Sequence, residues 1–181
     1  MIDPSDRPAF SPWTDPVTGV TSYHLSQRVA PLQQSFYFTN RSLSEDGRWL
    51  WFYAAHPPGG NAYEGRCLGV CDMVDGDVRW FPETQFRDAS PMVAGDSGEV
   101  YWCWEYSVYR RGPAADAETI LVNSVPEDLH RGRAGERLAT HLTRSADGRN
   151  KGVSGSSVKP RIATIDLEKG EVTVATKADL D

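Results

Sequence analysis

The sequence predicts an all-β fold, specifically a partial β-propeller of about three four-stranded blades preceded by an N-terminal orphan strand. Three observations predict it: turn residues are frequent throughout, a turn-and-strand unit recurs about every fifty residues, and a hairpin unit recurs with fixed internal spacing. The chain has 181 residues, of which 39% are apolar, so it can form a globular domain with its own core. Its 16 glycines and 12 prolines disfavour long helices.

The first recurring unit is a polar turn followed by a strand of alternating aromatic residues. It appears as SLSEDGRWLWFYAAHPP at 42–58 and as SPMVAGDSGEVYWCW at 90–104, and a weaker copy surrounds Gly148. From Gly47 to Gly98 and from Gly98 to Gly148 the turn glycines are 51 and 50 residues apart. A propeller blade is a four-stranded antiparallel sheet of about this length, so the period predicts blades.

The second recurring unit is a hairpin in which an aspartate opens the turn and a glycine follows four residues later. Asp72 and Gly76 have this spacing, as do Asp166 and Gly170. The aspartate side chain caps such a turn and the glycine supplies its positive φ. TDPVTGVTSYHLS, residues 14–26, has the same form but no inner strands ahead of it, which predicts the orphan strand.

A closed propeller ring needs roughly four to eight blades, so about three blades predict the N-terminal part of a longer propeller. We expect one incomplete propeller domain over residues 1–181, with approximate blades at 31–85, 86–126 and 137–178 and a loop insertion at 127–136. The open ends of such an array expose apolar blade faces, and self-association through these faces is expected.

The aromatic strands and the cysteines are assigned to the core. Alternating tryptophans at equivalent positions of successive repeats favour packing between neighbouring blades over a platform for sugar stacking. The odd number of cysteines and the absence of zinc-like spacing indicate reduced thiols and no metal site. The residues concerned are Trp49, Trp51, Trp102 and Trp104, and Cys67, Cys71 and Cys103.

Charge and hydropathy exclude some functions. The formal net charge of −6 argues against a nucleic-acid partner, whose phosphates require a basic surface. No secretory signal and no apolar run of membrane-spanning length are present, so neither a membrane partner nor secretion is expected, and a cytoplasmic location is predicted.

Three segments in order, DPVTGVTSYHLS, FYFTNRSLSEDGRWLWFYA and IATIDLEKGEVTVA, resemble the N-terminal half of the oligogalacturonate lyases, which are seven-bladed propellers. The resemblance runs with interruptions over most of residues 12–176. Where relatives tend to carry a histidine-containing segment before YF, this chain has LQQSFYF. The same hairpins and S-x-D-G turns also occur in propellers of the periplasmic translocation-protein type.

The resemblance implies a fragment of a lyase that cleaves oligogalacturonate or a related uronate oligosaccharide by β-elimination, with a histidine base and a manganese ion. In that family the base and the metal ligands lie in later blades, so no residue here inherits a catalytic or metal-binding role, and this chain alone is expected to be inactive. The alternative is a noncatalytic propeller module for binding or interaction.

Substrate-binding residues are expected in loops where strand ends of several blades converge. Arginine suits a polyanionic sugar because its guanidinium pairs with carboxylates in bidentate fashion. For each residue the alternative is a plain loop or turn position without a ligand. The candidates are His56, Asn61, Tyr63, Arg110 and Arg111.

Overall fold

A computed structural model of the chain describes residues 2–37, 39–61, 64–86, 90–132, 141–144, 150–154, 162–166 and 172–175. Within these ranges a 3₁₀ turn spans Pro4–Asp6 and one short helix, α1, spans Glu127–His130. The strands are β1 (Phe10–Thr14), β2 (Thr21–Leu25), β3 (Leu32–Gln34), β4 (Trp49–Ala55), β5 (Arg66–Asp72), β6 (Val78–Phe86), β7 (Met92–Val93), β8 (Val100–Trp104), β9 (Ser107–Arg111), β10 (Ile120–Ser124), β11 (His141–Arg144), β12 (Asn150–Ser154), β13 (Ile162–Asp166) and β14 (Val172–Ala175).

The strands form three four-stranded antiparallel sheets, each with its strands in chain order. The first blade is β3-β4-β5-β6, the second blade is β7-β8-β9-β10 and the third blade is β11-β12-β13-β14. The prediction of an all-β partial propeller is therefore confirmed. Strand β6 ends one residue beyond the predicted limit of 85, and α1 lies within the predicted insertion at 127–136.

The N-terminal orphan strand is corrected by the structure to a two-stranded hairpin. β1 pairs with β2 in antiparallel register over residues 10–25, and in the described part of the chain this sheet contains these two strands. β1 was not predicted because Pro12 lies inside it, and proline is normally evidence against a strand. We call β1, β2 and their connecting turn the N-terminal hairpin.

The hairpin turns share one geometry that depends on glycine. Gly19, Gly76 and Gly98 have φ values of 71°, 76° and 69°. Their N–H groups donate to the carbonyl oxygen four residues earlier at 2.8, 2.7 and 2.8 Å. Gly47 also has positive φ, but its N–H donates to Ser44, three residues earlier. The turns at Gly47 and Gly98 therefore occupy equivalent positions in the first two blades, but their hydrogen bonds differ by one residue.

Strands β4, β5 and β8 are buried on both of their faces over most of their length. In the first blade Trp51 and Tyr53 of β4 face the second blade, where they meet Val100 and Trp102 of β8 in one apolar cluster. The indole N–H of Trp51 donates to the carbonyl oxygen of Gly98 at 2.9 Å, so its polar atom is satisfied inside this cluster. The expectation that these tryptophans pack between blades is confirmed for Trp51 and Trp102.

The opposite face of the first blade is covered by residues 2–30, which we call the N-terminal segment. Its Ala9 and Ala30 are buried against the blade. The Arg7 guanidinium donates to the carbonyl oxygen of Val74 at 2.8 Å, which holds the segment against the turn between β5 and β6. The blade residues beneath it are Phe52, Ala54, Cys67, Cys71, Met73 and Val78. This face of the first blade is therefore not open, contrary to the expectation for an incomplete array.

The cysteines are buried free thiols, as the sequence predicts. Burial is the main cause that raises the pKa of Cys67 to about 11, and the same is true of Cys71. Both thiols are therefore protonated at neutral pH and are weak nucleophiles.

Candidate functional site

The candidate residues of the first blade lie in the loop after β4. The imidazole of His56 packs against the indole of Trp80, with ring centroids 4.5 Å apart, and its Nε2 lies 3.2 Å from the carbonyl oxygen of Val29. Asn61 forms a turn with Glu64, since its Oδ1 accepts the Glu64 N–H at 3.0 Å and its N–H donates to the Glu64 carbonyl at 2.8 Å. Tyr63 lies outside the described residues.

The candidate arginines lie inside strand β9 and not in a turn. Arg110 forms an ion pair with Glu99, the residue that precedes the neighbouring strand β8. Their pairing leaves less of the guanidinium for a ligand carboxylate. A role for Arg110 in substrate binding stays a prediction.

Arg111 joins the second blade to the first. Its side chain is 1% exposed, it forms an ion pair with Glu83 of β6, and its guanidinium carbon lies 3.4 Å from the ring centroid of Phe81. It also donates to the carbonyl oxygen of Ala114 at 3.1 Å. Burial lowers the pKa of Arg111, and the Glu83 carboxylate opposes that shift. These contacts fit a structural link between blades, and binding of substrate by Arg111 stays a prediction.

A cleft separates the N-terminal hairpin from the inner strands of the first blade. Its volume is about 260 Å³. Aromatic and aliphatic side chains form most of its wall, and two glutamines and a serine of the β3 region form the remainder. The lining residues are Phe10, Tyr23, Leu25, Gln33, Gln34, Ser35, Leu50, Trp51 and Phe52.

Some polar groups of the cleft are held by hydrogen bonds within the protein, and others have no such bond among the described residues. Gln33 is fixed, because its amide accepts the Val29 N–H at 3.2 Å and donates to the Gln27 carbonyl at 3.1 Å. The Gln34 Oε1 accepts the Tyr53 hydroxyl at 2.6 Å, which leaves its amide N–H₂ without a partner among the described residues. Over the same ranges the hydroxyls of Ser35 and Tyr23 have no hydrogen-bond partner.

Sequence reasoning missed this cleft entirely. The segment LQQSFYF supplies Gln33, Gln34 and Ser35, but its relation to the hairpin arises only from the tertiary structure. A possible signal was the pair of adjacent amides at an inner-strand position where an apolar residue is the usual choice.

Large apolar side chains of the N-terminal hairpin are accessible to solvent. Val17 is 89% exposed, Val20 61%, Trp13 51% and Tyr23 37%. Trp13 stacks on His24 across the two strands, with ring centroids 6.4 Å apart and planes inclined by 19°. Four large apolar or aromatic side chains of this hairpin are therefore exposed to solvent.

Among the described residues, no group of three or more His, Cys, Asp or Glu side chains is placed to hold a metal ion. The same part of the chain contains no helix with the length and hydropathy needed to cross a bilayer.

The chain is similar to a solved structure of TolB from Acinetobacter baumannii, with a TM-score of 0.54 and 17% sequence identity. The match covers 90% of this chain but 36% of the TolB chain, so this chain spans about a third of the solved protein's length. At this identity the likeness shows the β-propeller fold. No family model and no curated protein matches the sequence.

The comparison corrects the family expected from the sequence. TolB is a β-propeller of a different family, and no match names an oligogalacturonate lyase. The shared hairpins and S-x-D-G turns are general propeller features, which explains why they suggested a lyase. The lyase activity, the uronate substrate and the manganese ion were implied by that resemblance alone.

Proposed function

We propose that this chain is a noncatalytic binding or interaction module built from β-propeller blades, with the N-terminal hairpin as its contact surface. The observation that carries the proposal is the exposure of this hairpin, whose turn residue Val17 is 89% exposed and whose strand β1 holds the exposed Trp13. Exposed apolar patches on a protein surface often mark sites of interaction with other proteins. Aromatic residues of this kind are enriched at protein interfaces.

The engaged state of the polar candidates supports a binding role over a catalytic one. Arg110 and Arg111 already have carboxylate partners, and the thiols of Cys67 and Cys71 are buried and protonated. Groups in such environments hold a structure together and are poorly suited to bond-making chemistry.

Site-directed photo-crosslinking tests the proposal. A benzophenone amino acid is placed at Trp13 or at Val20 of the hairpin, and at Val74 as a matched control, because Val74 is 41% exposed but lies in a turn of the first blade. We expect discrete adducts with the same protein from both hairpin positions and none from position 74. Equal adducts from all three positions, or none from the hairpin, would contradict the proposal.

A further inference from the structure

We draw no further inference here: the strongest candidate, the cleft between the N-terminal hairpin and the first blade, carries nothing because its free amide and hydroxyl groups belong to exposed side chains and nothing in the structure shows what covers it.

Discussion

Replacing Gly98 by alanine should destabilise the fold much more than the same change at Gly76. Both glycines close turns with the same hydrogen bond and have φ of 69° and 76°. Alanine in this left-handed conformation costs roughly 1–2 kcal/mol. The reduced freedom of the unfolded chain offsets roughly 0.4–1 kcal/mol of that cost. The strain common to both sites is therefore about 1 kcal/mol.

The surroundings of the two glycines make the difference. A Cβ at Gly76 would lie 3.8 Å from Pro8 Cγ, which is an ordinary contact. A Cβ at Gly98 would lie 2.6 Å from Cδ1 of Trp49, which packs against the core between the first two blades. Overpacking of this kind adds roughly 1–3 kcal/mol. We expect Gly98→Ala to lose about 2–4 kcal/mol of unfolding free energy and Gly76→Ala about 1 kcal/mol.

Urea unfolding followed by far-ultraviolet circular dichroism measures both losses without relying on tryptophan emission. Equal losses at the two positions would refute the clash with Trp49. A double variant sharpens the test: in a Trp49→Leu background the indole is gone, so Gly98→Ala should cost about 1 kcal/mol, as Gly76→Ala does. An unchanged cost in that background would show that backbone strain alone is responsible.

Two other predictions concern acid stability and thiol access. Burial alone raises the pKa of Asp72, but hydrogen bonds from Arg48 and two backbone N–H groups lower it below its ordinary value of 3.8. The ionised Asp72 carboxylate therefore stabilises the fold above about pH 4, and this contribution is lost as the pH falls through the lower pKa of the folded state. The Asp72→Asn variant should be less stable at neutral pH, and its urea midpoint should change less as the pH is lowered. Ala9→Asp places a charge between the N-terminal segment and the first blade, so it should speed the labelling of Cys67 and Cys71 by a thiol reagent. Cys103 lies in a different apolar cluster and should react as slowly as before. Equal labelling rates at all three thiols would indicate global unfolding.

The repeat and its core residues were predictable because both depend on short stretches of sequence. A turn glycine followed by alternating aromatics fixes a hairpin and two faces of a strand, and the fifty-residue period places equivalent strands side by side. Trp51 and Trp102 therefore came out correctly as residues that pack between blades. The family was not predictable from the same features, because they belong to the propeller fold in general.

The missed features depend on contacts between distant parts of the chain. The environment of Arg111 is set by Glu83 and Phe81 in another blade, so its neighbours in sequence suggest a turn while its actual position is a buried strand. Pro12 is tolerated in β1 only because the register directs its missing N–H outward. No local pattern reveals that register.

The N-terminal segment covers one of the blade faces through which self-association was predicted, and self-association stays a prediction. An incomplete propeller was predicted to associate through open blade faces, but the outer face of the first blade is covered by Ala9, Ala30 and their neighbours. Apolar side chains are also exposed at the hairpin, where Pro12 protects the edge of β1 and β2 has no such protection. Pro12→Thr would open the second edge, so each chain could pair on both sides of its hairpin. Sedimentation velocity should then show species larger than any formed by the wild-type chain, and an unchanged distribution would show that Pro12 does not protect β1.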